Sequence, residues 1–101
     1  MHKNITIVFV VYKSGKIFFK NLKNLKNFHK LIIDNDPMSN ISSDLQLFDN
    51  NHTYIKMPSN IGMAKAANLA FKKINTEFFL YLTADTIIKE ADILNLLDIY
   101  T

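Results

Sequence analysis

The sequence predicts an α/β fold in which a mostly parallel sheet lies between two layers of helices, a three-layer α/β/α arrangement. Segments rich in β-branched and aromatic residues alternate with segments of helical periodicity, in the order β-α-β-loop-β-α-β-α. Strands that are connected through helices pair in parallel. The chain has 101 residues, 49% of them hydrophobic, which is enough for one core. We therefore expect residues 1–101 to form a single domain.

The first half of the chain is predicted to contain two strands and one helix. Residues 5–12 (ITIVFVVY) form a β-branched and aromatic run, which is typical of a strand buried on both faces. Apolar side chains then recur every three or four residues over 16–28, which predicts a helix. Residues 30–34 form a second short strand, which must end before Pro37. Residues 38–51 are rich in Ser, Asn and Asp, so we expect mostly loop, with one helical turn around residues 44–48.

The second half is predicted to contain two further strands and two helices. Residues 53–57 form a weaker strand that Pro58 ends, and Asn60 is the expected N-cap of the next helix. The fourth strand covers residues 77–82, and a last amphipathic helix covers 89–100. The side of the middle helix that faces the core is expected to carry Met63, Ala67, Ala70, Phe71 and Ile74.

The composition excludes several classes of protein. The net charge of +3 comes from a chain with twelve lysines and no arginine, so the bidentate guanidinium contacts that read DNA bases are absent and we expect no nucleic-acid partner. No cysteine is present, which leaves no disulfide and no thiolate metal site. The longest apolar run is far shorter than the roughly twenty residues that a membrane span needs. We therefore expect a cytoplasmic protein.

Six lysines recur every three or four residues in and around the first predicted helix, and two interpretations of them remain open. The usual one is a solvated helix face. The other is weak attraction to anionic lipid headgroups, where each lysine near the surface adds about 1 kcal/mol. That second interpretation would give peripheral contact with the inner face of a membrane. The lysines are Lys13, Lys16, Lys20, Lys23, Lys26 and Lys30.

Polar and aromatic side chains stand at the ends of three predicted strands. Tyr12, Asp34 and Asp85 each lie at or just past the carboxyl end of a strand. In a parallel sheet these ends lie along one edge, and open α/β sheets bind their ligands outside that edge. We therefore expect the three side chains to converge on one ligand site.

Four short motifs accompany these strand ends. They are Val11-Tyr12-Lys13-Ser14 after the first strand, Ile33-Asp34-Asn35 after the second, Asn60, Gly62, Ala66 and Asn68 around the start of the middle helix, and Leu82-Thr83-Ala84-Asp85-Thr86 after the fourth strand. In this order, the motifs resemble those of inverting family 2 glycosyltransferases, which have the GT-A fold, a Rossmann-like α/β fold. The resemblance is to the N-terminal, nucleotide-sugar-binding half of such an enzyme and covers nearly the whole chain.

The resemblance implies a glycosyltransferase that binds a nucleotide-diphospho-sugar and serves transfer to a saccharide or lipid-linked acceptor. Asp34 would accept a hydrogen bond from a pyrimidine N–H, and Tyr12 would line the base pocket. Asp85 would bind Mg²⁺ or Mn²⁺ bridging the diphosphate. The nucleotide-binding residues that the resemblance implies are Val11, Tyr12, Asp34, Asn35, Asn60, Gly62 and Asn68.

The sequence also departs from the family pattern. Lys13 stands where the family has Asn, and Thr83 stands where an Asn or a first Asp would be, so Asp85 is the one carboxylate left in the metal motif. The acceptor half, which usually carries the general base, is expected to follow Thr101. We therefore expect these 101 residues to transfer no sugar by themselves, and to self-associate through an uncovered sheet edge.

Structural interpretations of the same residues remain open beside the functional ones. Residues 34–37 are also a typical turn sequence, Asp85 with Thr86 is a typical N-cap for the last helix, and Asn60 is a typical cap for its own. Two other classes fit less of the sequence. One is a non-catalytic binding module on a truncated GT-A fold, and the other is a receiver-like signalling domain, suggested by the acidic cluster at 34–37.

Overall fold

A computed structural model describes the backbone of residues 2–100 and the side chains of residues 4–99. Met1 and Thr101, the two ends of the predicted domain, lie outside the described residues. Strands and helices alternate along the described part of the chain, which confirms the α/β class. In order, the elements are β1 (His2–Val11), α1 (Lys16–Asn24), β2 (Phe28–Asp34), α2 (Ser42–Phe48), β3 (His52–Lys56), α3 (Met63–Lys73), β4 (Phe78–Thr83) and α4 (Glu90–Tyr100).

The four described strands form one sheet in the order β3-β2-β1-β4, and each neighbouring pair is parallel. The register places Val11 of β1 beside Asp34 of β2, and Val10 of β1 beside Thr83 of β4. The first three strands follow one another in one direction across the sheet. The chain then returns to the far side of β1 to add β4, so the strand order reverses between β1 and β4.

Helices cover both faces of the sheet, which confirms the three-layer arrangement. On one face, α1, α2 and α4 bury Phe18, Leu45 and Ile93 in a core shared with β1 and β2. On the other face, α3 packs Ala66 and Ala70 against the same two strands. Within residues 2–100, no helix combines the length and the hydropathy that crossing a membrane requires.

Several element boundaries differ from the sequence prediction. The first helix ends at Asn24 rather than near residue 28, because the backbone of Leu25 leaves helical geometry and β2 already begins at Phe28. Residues 38–51, predicted to be mostly loop, contain the seven-residue helix α2. Its Leu45 is its one buried residue, so the segment is too short and too polar for helical periodicity to be visible in the sequence.

The side of α3 that faces the core is rotated from the predicted one. Ala66 and Ala70 are fully buried, whereas Met63 and Phe71, both predicted to face the core, are exposed. The small methyl side chains let the α3 backbone lie close to the sheet, so the large side chains occupy the periphery. Phe71 packs there against Phe79 of β4, with ring centroids 4.7 Å apart.

Lys30 was predicted to belong to an exposed lysine stripe, and this is wrong, because the side chain is fully buried. Its Nζ donates to Asp49 Oδ1 at 2.7 Å and to the Leu25 carbonyl at 2.9 Å. Burial lowers the pKa of Lys30, and the hydrogen bond and charge of Asp49 oppose that shift. His52 Nδ1 lies 2.9 Å from the second oxygen of Asp49. Lysine spacing could not reveal this burial, because the partner carboxylate lies 19 residues further along the chain.

The two edges of the sheet differ in chemistry. The edge strand β3 carries His52 and Lys56 and is followed by Pro58, and such residues discourage pairing with another chain. The opposite edge strand β4, with the sequence FFLYLT, has no charged residue. Phe79, the second residue of this strand, is 49% exposed. No strand among the described residues pairs with the outer side of β4, and this apolar edge is where the expected self-association would take place.

Candidate functional site

A cavity of about 660 Å³ lies at the carboxyl edge of the sheet. Its lining comes from residues 12–15 after β1, the first turn of α1, Met63 at the start of α3, and residues 83–85 at the end of β4. The cavity therefore lies where the strand order reverses, between β1 and β4. Chain segments that leave two such strands diverge to opposite faces of the sheet, and the crevice between them is where open α/β sheets bind ligands.

Asp85 lines this cavity from the loop between β4 and α4. Its side chain is exposed, and the cavity lining includes no other carboxylate. Helix α4 begins only at Glu90, so Asp85 and Thr86 do not form its N-cap. The capping interpretation of these two residues is therefore wrong, and the Asp85 carboxylate is available to a ligand.

A buried side chain of α1 holds the loop that carries Asp85. Asn21 is 1% exposed, and its Nδ2 donates to the carbonyls of Ala84, at 3.3 Å, and of Thr86. Its Oδ1 accepts from the N–H of Ile88 at 3.5 Å. Asn21 thus fixes the chain on both sides of the carboxylate. The sequence prediction missed this residue, although a polar side chain within the apolar stripe of α1 was a visible signal.

Tyr12 and Lys13 form another part of the lining. Tyr12 lies just past β1 and is 46% exposed, so it is not a core residue. Lys13 has a φ of 53°, and among the described residues it is the one non-glycine with a positive φ. Asn adopts this left-handed conformation more readily than Lys does, which is a physical reason for the Asn of the family pattern at this position. The Lys13 Nζ lies 5.3 Å from the centre of the Tyr12 ring, a cation–π contact.

Asp34 ends β2 at the same edge of the sheet but does not line the cavity. It is 1% exposed, its Oδ2 accepts from the Tyr54 hydroxyl at 2.6 Å, and its Oδ1 accepts from the Asp36 N–H at 3.0 Å. The second bond is that of an Asx turn, so the turn interpretation of residues 34–37 is confirmed. Burial raises the pKa of Tyr54, and the Asp34 carboxylate raises it further, so Tyr54 remains a donor. The sequence did not indicate that Tyr54 would be a hydrogen-bond partner of Asp34.

Val11 and Asn35 connect the strand ends to α3 rather than lining the cavity. The Asn35 N–H donates to the Val11 carbonyl at 2.8 Å, and its Nδ2 donates to the Gly62 carbonyl at 3.1 Å. The Val11 side chain is buried in the core, so only its backbone lies at the edge. The buried Oδ1 of Asn35 has no hydrogen-bond partner within the described part of the chain.

Asn60 and Gly62 shape the turn that precedes α3. Asn60 Oδ1 accepts from the Gly62 N–H at 2.9 Å, and Gly62, with a φ of 84°, is the N-cap residue of the helix. Asn60 was predicted to be that cap, and this is wrong, because its side chain instead closes the turn that ends at Gly62. Asn68 is exposed on α3. None of these three residues lines the cavity, which Met63 reaches instead.

The cavity offers a metal ion one carboxylate, that of Asp85. Over the side chains that the structure describes, no three His, Asp or Glu residues are grouped so that they could hold a metal ion. This donor set does not fit an ion that is bound by protein alone. It fits Mg²⁺ or Mn²⁺ that takes one protein carboxylate and obtains its remaining ligands from phosphates and water.

The general base for the acceptor hydroxyl was predicted to lie beyond Thr101. Thr101 itself lies outside the residues that the structure describes, so the position of this base stays a prediction. Within the cavity lining, Asp85 is the one carboxylate, and it is the residue expected to hold the metal ion. The described lining therefore has no second carboxylate that could take the acceptor proton.

The sequence model of glycosyl transferase family 2 matches residues 6–101, which include all the strand ends of the site. The chain belongs to this family. The family resemblance that the four motifs indicated is therefore confirmed. A search of curated proteins gives no match.

Two crystal structures of TarS from S. aureus have the same fold as this family 2 chain. The structure of TarS 1–349 has a TM-score of 0.76 and 20% sequence identity over 94% of this chain, and a second TarS structure has a TM-score of 0.69 and 21% identity over 96%. The chain spans 31% and 20% of those two proteins. These likenesses confirm the GT-A fold. The strand order β3-β2-β1-β4 also contradicts the receiver-like alternative, whose sheet has the order 2-1-3-4-5.

Proposed function

We propose that this chain is the donor-binding part of a family 2 glycosyltransferase. It binds a nucleotide-diphospho-sugar in the cavity between β1 and β4, for transfer of the sugar to a saccharide or lipid-linked acceptor. The observation that carries this proposal is that Tyr12 and Asp85, far apart in sequence, line one cavity at the reversal of strand order in a family 2 chain. The cavity volume of about 660 Å³ lies within the range of small-molecule and cofactor sites.

Tyr12 and Asp85 have the direct roles in this proposal. The half-exposed Tyr12 ring provides apolar area on which a nucleotide base can lie. Asp85 would hold the Mg²⁺ or Mn²⁺, which when bound would neutralise charge on the leaving diphosphate. Asn21 keeps the Asp85 loop in place through its bonds to the carbonyls of Ala84 and Thr86.

Asp34 has a positioning role rather than the direct base contact that the resemblance implied. Its carboxylate is buried, and both of its oxygens already accept hydrogen bonds, from Tyr54 and from the backbone of Asp36. These bonds fix the turn that follows β2. The Asn35 link to the Gly62 carbonyl fixes the start of α3 in the same way. Both residues thus support the edge on which the ligand would bind.

Binding of nucleoside diphosphates tests the proposal directly. Calorimetric titration of the purified chain with UDP, GDP, CDP and ADP, each with and without Mn²⁺, should identify one preferred diphosphate whose binding Mn²⁺ strengthens. Asp85→Ala should abolish the effect of Mn²⁺, because no second carboxylate lines the cavity. Asp98→Ala, an exposed aspartate of α4 outside the cavity, is the matched control and should bind like the parent.

An Asp85→Ala variant that binds nucleotide and Mn²⁺ as tightly as the parent would contradict the metal-binding role. Circular dichroism of both variants should match that of the parent, because both side chains are exposed. Failure of every diphosphate to bind the parent, with or without Mn²⁺, would contradict the proposed function itself.

A non-catalytic binding module remains the second candidate, and one observation favours it for the isolated chain. The chain spans less than a third of either TarS protein to which its fold is similar. Both candidates predict nucleotide binding, so turnover separates them. We expect the 101 residues alone to bind donor and to release no sugar to added acceptors. Sugar transfer by this chain alone would contradict that expectation and would place the acceptor chemistry within these residues.

We also propose that the chain self-associates through β4. This edge strand is apolar and has no charged residue that would discourage pairing with a second copy. Sedimentation velocity should show a concentration-dependent increase in mass. Phe79→Lys, which puts a charge on that edge strand, should abolish the increase, whereas Thr53→Lys on the opposite edge strand should not. A parent chain that sediments as a monomer at every concentration would contradict this part.

A further inference from the structure

The cavity has a cationic side, and at one of its two lysines, Lys13, the family pattern has Asn. Lys13 and Lys16 both line it, whereas Asp85 is the one carboxylate in its lining. The sequence prediction had placed these two lysines in a stripe along the first helix. The structure separates them from Lys20 and Lys23 of the same helix, which are exposed and outside the cavity. The cavity lining therefore carries two cations and one anion.

Lys13 combines an unusual backbone conformation with a defined contact of its ammonium group. Its φ of 53° turns the chain sharply after β1, and its ammonium lies 5.3 Å from the centre of the Tyr12 ring. A left-handed backbone costs a non-glycine residue roughly 1–2 kcal/mol, so a Lys at this position is not favoured for local stability. The cation–π contact keeps the charge beside the aromatic ring on which a base could lie.

The start of α1 adds positive potential to the same side. Its N-cap residue, Gly15, has no side chain with which to cap the helix, and the first turn contains no acidic residue. The first N–H groups of a helix have no partners within the helix, and the helix dipole favours an anion near them. Gly15, Lys16 and Ile17 all line the cavity, and no atom would lie within 4 Å of a Cβ at Gly15. An anion can therefore approach this turn closely.

We propose that Lys13 and Lys16 bind the diphosphate of the donor and share its neutralisation with the metal at Asp85. This inference rests on the proposed function, whose ligand it specifies further. Lysine binds phosphate as a point charge, so two ammonium groups suit a flexible diphosphate without fixed bidentate geometry. The single carboxylate of the cavity gives a metal ion only one protein ligand, and the two lysines add positive charge that offsets the negative charge of the diphosphate beside that metal. A nucleoside diphosphate should therefore bind with EDTA present, and more weakly as salt is raised.

The test uses titration of the purified chain with UDP and with inorganic pyrophosphate, both in EDTA. The variant is Lys13→Asn with Lys16→Gln, in which Asn suits the left-handed backbone and the fold is retained. Lys20→Gln is the control, because that lysine is exposed on the same helix outside the cavity. We expect the double variant to bind both ligands about tenfold more weakly or worse, since hydrogen bonds to charged groups are lost. The control should stay within about twofold of the parent.

The two probes separate the failure of this inference from that of the proposed function. If UDP binds the parent only with Mn²⁺, or binds the double variant as tightly as the parent, the lysines do not hold the diphosphate, and the proposed function is unaffected. If pyrophosphate binds through the lysines and no nucleoside diphosphate binds better, the anion site is supported and the nucleotide-binding function is wrong. If neither ligand binds the parent, both are wrong.

Discussion

Replacing Asn21 with leucine tests whether a buried residue of α1 controls the position of the Asp85 carboxylate. Leucine has nearly the shape of asparagine, so Asn21→Leu fills the same space in the core and removes only the polar contacts. Those contacts are the two bonds from Nδ2 to the carbonyls of Ala84 and Thr86, and the longer one of 3.5 Å from the Ile88 N–H to Oδ1.

The magnitude follows from these three bonds. A hydrogen bond within a protein contributes about 0.5–1.5 kcal/mol net, and the bond at 3.5 Å contributes least. The contacts between the loop and α1 are therefore weakened by about 2 kcal/mol. A ligand that binds to Asp85 must then also order the loop, and its binding free energy becomes less favourable by about the same amount. The affinity for a nucleoside diphosphate with Mn²⁺ should therefore fall by about 30-fold, because 1.4 kcal/mol corresponds to a factor of about ten.

Two measurements check this prediction. Calorimetric titration gives the affinity, and amide hydrogen exchange should show faster exchange at Ile88, whose N–H loses its acceptor. Asn24→Leu is the matched control, because Asn24 is an exposed asparagine at the end of the same helix. If Asn21→Leu binds the diphosphate and Mn²⁺ like the parent while exchange at Ile88 is also unchanged, Asn21 does not position the loop.

Three further predictions concern the scaffold. Lys30→Met should lower the free energy of unfolding by about 3 kcal/mol, because it leaves the Asp49 carboxylate buried without its cation. Adding Asp49→Leu should recover most of that loss in urea unfolding, and a double variant as unstable as the single one would contradict the pairing. Above pH 10 the unfolded chain loses the Tyr54 proton while the folded chain, with its raised pKa, keeps it, so stability should fall as pH rises. Tyr54→Phe should lack this part of the decline, and equal slopes for both chains would contradict the raised pKa. Gly62→Ala should cost about 1–3 kcal/mol from backbone strain alone, since φ is 84° and no neighbouring atom would lie within 4 Å of a Cβ. In thermal unfolding Gly15→Ala should cost less, since φ there is −111°; equal costs would refute the strain.

The sequence by itself determined the class of fold and the edge that carries the site. The run at 5–12 indicated a buried strand, because it is short, continuous and rich in β-branched and aromatic residues. Helical periodicity between the strands then required parallel pairing. Parallel pairing placed Tyr12, Asp34 and Asp85 at one edge without knowledge of any contact, since all strand ends of such a sheet point the same way. Of these three, only Tyr12 and Asp85 line the cavity, so the expected convergence of all three on one ligand site is wrong for Asp34.

The tertiary structure decided everything that depends on a distant partner. Lys30 can be buried because it pairs with Asp49, which lies 19 residues further along the chain. The Asp34 carboxylate accepts a hydrogen bond from the Tyr54 hydroxyl, which lies 20 residues further along. Asn21 bonds to a loop more than 60 residues further on. Periodicity and propensity describe only neighbours along the chain, so they cannot report such pairings. The cationic side of the cavity likewise exists only because the turn after β1 and the start of α1 face the loop that carries Asp85.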